Sequence, residues 1–482
     1  MNRYMKQAVC VFSITFSFAL QITAQTSDKW DLRKCVDYAM ENNISVKQAD
    51  LQARFAELDL HQNKLSQYPG VSFSGNLGYG SGRNQDPTSF SLITTGYTFN
   101  NYTLQTSVDL FNWFTKKKSI EEKTLSVKAA EAGITKAKDD IALNVAVAYL
   151  QVLLAREQIK LAGIQADQTR AQLENTRKQV DAGKLPELNA AQLESQLASD
   201  SSNFISAATS AQQLLLQLKA LLHLDAAAPF DIVTPPVSLI PVESLADLQP
   251  ESVYNLAIIN LPQQKIDELN VLAKIKSAEV ARGSMYPVLS LFGSLGTTYN
   301  NRARQVISKS QLNAAIGKVN VGGTDYNVFP LQPFDVYKYG KVSYFDQLNQ
   351  NFRQSVGINI SVPIFNGGSL KTNWQRSKLN VKQAELQKEQ NSFTLKQDIY
   401  KAYNDAVAAL QKFNAGKKAV QTAEKTYDFA QKRYDLSLLS TFELITAQTG
   451  VLQAKTQLLY SQYDYVFKMK LLEFYKGQGL KL

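Results

Sequence analysis

The stretch "VDLFNWFTKKKSIEEKTLSVKAAEA", beginning at Val108, has a partner 254 residues further on: "VPIFNGGSLKTNWQRSKLNVKQAEL", beginning at Val362. Each opens with a short β-like piece ending in Phe-Asn, at Phe111-Asn112 and Phe365-Asn366, then turns into a long helical pattern. The spacing persists downstream. "VKAAE" at Val127 returns as "VKQAE" at Val381, and "NVAVAY" at Asn144 as "DIYKAY" at Asp398. "ELNAAQ" at Glu187 matches "ELITAQ" at Glu443 at a spacing of 256, and "YPGVSFSGNLG" at Tyr68 matches "YPVLSLFGSLG" at Tyr286 at a spacing of 218. Between the Tyr-Pro and Phe-Asn landmarks the second copy is therefore 36 residues longer. Two tandem copies result: a first repeat over 25–225, a Pro-rich linker over 226–250 ("APFDIVTPPVSLIPVESL"), and a second repeat over 251–482.

Inside each copy the hydrophobic period switches. A helical stretch, broken near Asn42-Asn43 in the first copy, is stopped by Tyr68-Pro69. Period-two alternation follows, predicting strands near 70–80 and 100–112, then near 287–299 and 352–366. Val71, Phe73, Leu77 and Tyr79 oppose Ser72, Ser74, Asn76 and Gly78; Tyr102, Leu104, Val108 and Leu110 oppose Thr103, Gln105, Ser107 and Asp109. Phe352, Val356, Ile358, Ile360 and Val362 alternate with Arg353, Ser355, Gly357, Asn359 and Ser361. A soluble sandwich also alternates, but here only four strands are expected, each about ten residues, the length that crosses a bilayer at a tilt. Four strands cannot close a barrel, and an open edge cannot sit in lipid. If they span a membrane, several copies must pool them.

The helices carry a second signal. Positions 141, 145, 148, 152, 155, 159, 162, 166, 169, 173, 176 and 180 read I-V-A-V-A-I-A-A-T-L-T-V, and 254 residues on the same places read L-I-A-A-A-F-G-V-A-Y-A-Y. Both are four-three seams of the coiled-coil kind. Long helices are predicted over 116–182 and 369–436, on the order of 100 Å each at the usual rise. Turns at "VDAGKLPEL" and "YDLSLLSTFEL" lead to return helices over 187–223 and 441–476. Gly183 and Pro186 stop the first long helix; Ser437 and Ser440 stop the second less forcefully.

Composition narrows the class. Arg3 and Lys6, an apolar run from Ala8 to Leu20 and a small-residue site after Ala24 read as a signal peptide over 1–24. Cys35 is then the sole cysteine, at helical spacing, and reads as a small buried residue. The net charge of +10 is interleaved along helices, with "TKKKS" at Lys116 to Lys118 its densest cluster, so nucleic acid is not an expected partner. His61 and His223 lie in helical stretches without metal-ligand spacing. No phosphate loop, nucleophile elbow or paired-carboxylate site stands out, so no enzyme, metal or cofactor is expected.

The ordered duplication of helix, strand, loop, strand, long helix, turn and return helix resembles the TolC family of outer-membrane efflux channels, across essentially the whole chain after the leader. The resemblance implies an α+β membrane protein: a homotrimer whose long-helix coiled-coil α-barrel is continuous with a 12-stranded β-barrel, four strands per protomer, in outer-membrane lipid. It implies a passive exit channel of a tripartite efflux or type I secretion system, reaching through the periplasm to an adaptor protein and an inner-membrane pump of RND or ABC type. It also implies a tunnel closed at its periplasmic tip and opened like an iris. Glu443 matches a family acidic ring; Thr446 replaces a second acidic ring, and Leu439 replaces a family arginine. Tyr434 keeps the place of a tyrosine that hydrogen-bonds across the closed tip, with Glu187 a candidate counterpart in the first copy. Adaptor docking is expected around Gly183-Lys184-Leu185 and Ser437-Leu438-Leu439, and the strand-to-helix joints at Phe111-Asn112 and Phe365-Asn366, with the asparagines as helix caps. Glu443 also reads as an ordinary first-turn helix carboxylate. The long second-copy loop, after Asn300, is expected outside, as a lid, a contact with neighbouring loops, or disordered decoration. A pore-less periplasmic coiled-coil spacer or surface adhesin is the alternative.

Overall fold

The computed structural model describes residues 29–85, 90–236, 240, 242–436 and 438–477. The signal peptide expected over 1–24 and the docking residue Ser437 lie outside the described residues. In chain order the elements are α1 (Leu32–Asn42), α2 (Ile44–Leu65), β1 (Gly70–Gln85), β2 (Leu92–Phe111), α3 (Thr115–Asp181) and α4 (Glu187–Leu221). A 3-10 turn (Leu245–Leu248) leads to α5 (Pro250–Asn260), α6 (Pro262–Gly283), β3 (Val288–Asn300), β4 (Arg304–Leu312), β5 (Gly317–Val321) and β6 (Thr324–Val328). Then come β7 (Phe334–Lys341), α7 (Tyr344–Gln350), β8 (Arg353–Ser361), α8 (Ser369–Asp435) and α9 (Thr441–Tyr475). Both α3 and α8 contain 67 residues, and both α4 and α9 contain 35.

Two compact units form, and neither is a repeat. One unites the described residues up to Glu57 with Leu125–Leu272 and Lys382 onward; the other unites Leu58–Thr124 with Ala273–Val381. The copies therefore interleave, each contributing to both units.

The first unit is helical. Its buried line on α3 includes Ile141, Val145, Ala148, Val152, Ala155, Ala166, Thr169, Leu173 and Thr176, and on α8 Ile399, Ala402, Ala406, Ala409, Gly416 and Val420. These are the seam positions. One core gathers Cys35, Val145, Leu153, Leu218, Ile232 and Val466; a second gathers Leu248, Val253, Ile399, Ala406, Met469 and Leu472. Cys35 is fully buried and burial pushes its thiol pKa up to about 12, which suits packing rather than reactivity. The linker is more than a connector. Ile232 is fully buried and pairs as a parallel bridge with Trp30, and Arg156 bonds both the Asp231 carboxylate and the Ile232 carbonyl. Burial disfavours that Asp231 charge, yet Arg156 and the Ile232 N–H outweigh it and hold the carboxyl below its ordinary value. His223 is not helical as expected. It follows the end of α4 with φ 57°, where the Leu224 N–H reaches back to the Lys219 carbonyl at 2.9 Å and closes the helix.

The second unit is built on an antiparallel four-stranded sheet in the order β1-β2-β3-β8. Three expectations change here. The long loop is not disordered decoration: it forms two hairpins, β4–β7 and β5–β6, and the helix α7, so eight strands exist among the described residues rather than four. Leu110 is not a regular member of its strand. A bulge between Asp109 and Phe111 leaves it unpaired and sets Phe111 opposite Leu289. The last strand also ends sooner than read, at Ser361 rather than near 366.

Candidate channel wall and helix turns

The register gathers most of the apolar strand residues on one face of the sheet. Val71 lies opposite Thr106, Phe73 opposite Leu104, Leu104 opposite Leu295, Val108 opposite Leu291, and Leu291 opposite Ile358. One face thus carries Val71, Phe73, Leu77, Leu104, Leu295, Val356, Ile358 and Ile360, all exposed in the lone chain, Leu77 at 80%. The other face runs Ser74, Thr103, Gly296 and Arg353 along one rung, and Ser72, Gln105, Ser294 and Ser355 along another. An exposed apolar sheet face backed by a polar one is what a wall between hydrocarbon and water requires. The outer strands β1 and β8 pair on one side only.

Aromatic residues bound the apolar band. At one end Phe111, Trp113, Phe114 and Tyr286 cluster, with ring centroids 5.3, 5.7 and 4.8 Å apart in the pairs Phe111–Trp113, Phe111–Phe114 and Trp113–Tyr286. At the other, the hydroxyls of Tyr102 and Tyr344 meet at 3.1 Å, and Tyr299 packs on Tyr344 at 4.8 Å. Tyr102 to Phe111 spans roughly 30 Å along the strand, or roughly 23 Å of height at the usual tilt, close to the ~25 Å apolar band of outer-membrane barrels.

The two joints share a backbone and not a sequence. At Phe111-Asn112 the chain continues through Trp113 (φ 52°) and Phe114 (φ 61°); at Phe365-Asn366 it continues through Gly367 (φ 67°) and Gly368 (φ 77°). The asparagines are not side-chain caps, since helices start three residues later. Instead the Asn112 carbonyl accepts from the Thr115 N–H at 3.1 Å, and the Asn366 carbonyl from the Ser369 N–H at 3.4 Å.

The helix turns also correspond. After α3, the Gly183 N–H bonds the Val180 carbonyl and the Lys184 N–H bonds the Gln179 carbonyl, both at 2.8 Å, with Gly183 at φ 71°. After α8, the Leu438 N–H bonds the Arg433 carbonyl, also at 2.8 Å. Gly183, Lys184 and Leu438 are exposed; Leu185 and Leu439 are half-buried. Leu188, Leu436 and Phe442, missed in the sequence, are also exposed at these turns at 64%, 69% and 67%. Each falls off the seam, the one signal that could have singled it out.

Of the gate candidates, Tyr434 is half-buried and bonds Thr176 at 3.1 Å and Thr441 at 3.3 Å, joining α3 to α9. It does not meet Glu187, which is exposed in the first turn of α4 behind Pro186. Glu443 completes a capping box. Its carboxylate accepts from the Ser440 N–H at 3.0 Å and hydroxyl at 2.7 Å, while its own N–H bonds the Ser440 oxygen at 3.2 Å. Those bonds, hydroxyl first, hold the Glu443 carboxyl below its usual range. Ser440 thus caps the start of α9. Thr446 is exposed, and its hydroxyl donates to the Phe442 carbonyl at 2.8 Å. Deeper in this unit, Thr169 donates to the buried Asp200 at 2.7 Å, Gln196 donates to the same carboxylate at 2.9 Å, and Gln448 donates to Thr169 at 3.2 Å.

Residues 36–223 and 253–473 match the family described as "Outer membrane efflux protein". The chain belongs to this family. Each match covers one repeat, and the two together span most of the sequence. No curated protein matches the chain. Among solved structures, CusC is similar over 94% of this chain and 93% of its own, at 17% identity and TM-score 0.74. The CmeC channel of Campylobacter jejuni is similar over 93% and 86%, at 18% identity and TM-score 0.71. The open state of the Neisseria gonorrhoeae MtrE channel is similar over 93% and 89%, at 18% identity and TM-score 0.68. The fold is TolC-like, and the outer membrane efflux protein is a bacterial outer-membrane channel of a transport family, not an enzyme.

Proposed function

We propose that three copies pool their sheets into a closed 12-stranded barrel continuous with a helical tunnel. This homotrimer passively conducts cargo from a periplasmic adaptor and an inner-membrane RND or ABC pump to the exterior, in tripartite efflux or type I secretion. One observation carries the reading: the β2–β3 pairing inside the chain is a template for the missing β8–β1 pairing between chains. Both join a second strand of one copy to a first strand of the other. Repeat spacing converts Leu104 opposite Leu295 into Ile358 opposite Leu77 of the neighbouring copy. The residues awaiting cover are Tyr68, Ile364 and Phe365, exposed at 69%, 92% and 86%, whereas the matching joint already holds Trp113 against Tyr286.

Ile358→Cys combined with Leu77→Cys should crosslink between protomers under oxidation and give a trimer on denaturing gels. A stable monomer in detergent, with neither crosslink nor conductance in planar bilayers, would remove the pooled barrel. The pore-less spacer explains neither the apolar sheet face nor the two open strands.

The turns act as the gate and dock. Opening separates the helix ends like an iris, releasing the Tyr434 bonds, and MtrE, described in an open state, supports such a movement in a relative. Three Glu443 side chains ring the opening, with Glu187 and Thr446 nearby on the return helices. A ring of carboxylates attracts cations. Glu443→Gln in the reconstituted trimer should lower cation selectivity and block by multivalent cations; unchanged selectivity would leave Glu443 as a helix cap alone. Gly183, Lys184, Leu185, Ser437, Leu438 and Leu439 receive the adaptor, aided by exposed Leu188 and Phe442. Photocrosslinkers at Lys184 and Leu438 that never capture an adaptor in the intact envelope would count against docking there.

A further inference from the structure

We propose that the base of the β4–β7 hairpin, together with α7, binds the phosphate groups of an anionic glycolipid in the outer leaflet. The inference rests on the outer-membrane placement of the sheet. It starts from a like-charge pair. Arg304 lies directly opposite Lys341 in the hairpin register, and both are exposed. Like charges directly opposite across strands repel. Among the described residues neither cation has an ion-pair partner: Asp335, toward the other end of the hairpin opposite Gln311, pairs with Lys309 at 2.8 Å, and Asp346 accepts from the Ser343 hydroxyl at 2.6 Å. An external anion between the two would remove the repulsion.

The surroundings suit a headgroup. Val306 and Tyr339 oppose each other on the same hairpin face as Arg304 and Lys341, and both are exposed, at 49% and 42%. Cations interleaved with tyrosine match the interface between hydrocarbon and water. The chain then runs directly from Lys341 into α7, which is fixed to the apolar side of the sheet. Tyr344 reaches Tyr102, the Thr297 hydroxyl donates to the Leu348 carbonyl at 2.6 Å, and the Gln347 carboxamide oxygen accepts from the Asn300 N–H at 3.0 Å. Tyr102 and Thr297 lie opposite one another, on the face that also carries Leu104 and Leu295. From this anchored helix Phe345 projects, 80% exposed. An apolar wedge beside two unpaired cations, at the aromatic end of the apolar band, fits a lipid carrying phosphate.

The full chain, purified as its trimer, is incubated with a bisphosphorylated glucosamine glycolipid, the same lipid dephosphorylated, or inorganic phosphate, and retained ligand is counted by native mass spectrometry. Retention of the phosphorylated lipid should exceed that of the dephosphorylated form and fall with salt. Arg304→Gln with Lys341→Gln should reduce it about tenfold or more, and Phe345→Ser should weaken both lipid forms. Lys318→Gln, in the separate hairpin β5–β6, should leave retention unchanged. Equal retention of both lipids, unaltered retention by the double variant, or capture of inorganic phosphate without preference for the lipid would overturn the proposal. The assay needs no current, so a trimer that retains phosphorylated lipid without conducting would sink the channel reading and keep this one.

Discussion

The two copies solve the same geometric problem with opposite residues. Where the strand turns into a helix, the first copy forces Trp113 and Phe114 into left-handed backbone, and the second uses Gly367 and Gly368. At the helix turns the allocation reverses: Gly183 holds φ 71° in the first copy, and the second has Ser437 at the matching place. What duplication conserves here is the backbone path. Side chains are free to diverge if something nearby offsets the strain, and at the first joint that something is aromatic packing of Trp113 on Tyr286 and Phe111.

Replacing the two glycines has the largest expected effect. Nothing lies within 4 Å of a Cβ built at Gly367 or Gly368, so space is not the obstacle. The left-handed backbone is. Gly367→Val with Gly368→Val should cost about 1–2 kcal/mol at each position, read as a lower heat-dissociation temperature of the trimer and a lower urea midpoint. A double variant as stable as the parent would show that the joint relaxes out of its left-handed path.

A second contrast lies in the seam. Thr169 and Asp200 correspond to Ala423 and Thr456 in the other copy, so only the first copy buries a hydroxyl against a carboxylate. Thr169→Val keeps the shape and takes one donor away from the Asp200 carboxylate, which is 2% exposed. The expected loss is about 1–3 kcal/mol. Thr456→Val, half-buried at the place that matches Asp200, should stay within about 0.5 kcal/mol. Equal effects in urea titrations would mean that the Asp200 bonds contribute no more than an ordinary surface hydroxyl.

The starts of the return helices differ too. Ser440 caps α9, whereas Pro186 precedes α4 without a side-chain bond. Ser440→Ala should therefore destabilise by about 1 kcal/mol, measured as faster hydrogen exchange over the first turn of α9, with α4 unaffected.

How much of this was visible in the sequence follows from what each feature depends on. The seams were legible because coiled-coil packing repeats along one helix, so Val145, Val152 and Leu173 announce themselves. The alternating faces were legible for the same reason. The left-handed Trp113 and Phe114 were not, since no local preference favours φ above zero in bulky residues and the strain is offset by Tyr286, distant in sequence. The bulge at Leu110 depends on pairing with β3, again distant. The Tyr434 bonds to Thr176 and Thr441 join three separate helices; the seams place Thr176 and Tyr434 but do not pair them. The hairpins of the long loop escaped because their alternation is short and interrupted by a bulge between Val306 and Ser308.

Acid separates the two return helices in the gentlest way. Glu443 sits below its ordinary pKa because it accepts from the Ser440 hydroxyl and N–H; no side-chain cap involves Glu187 at the matching place. A depressed folded-state pKa contributes stability that is complete above the unfolded value of about 4.3. That contribution fades as pH falls through the lower folded value. Between pH 7 and about pH 5, hydrogen exchange at the start of α9, corrected for its intrinsic pH dependence, should stay constant. Protection should then drop as pH falls further, and the start of α4 should show no matching drop. Glu443→Gln keeps an acceptor without the charge and should flatten the profile. A profile that persists in the variant would assign the acid sensitivity to another carboxylate, and the capping box would lose its electrostatic role.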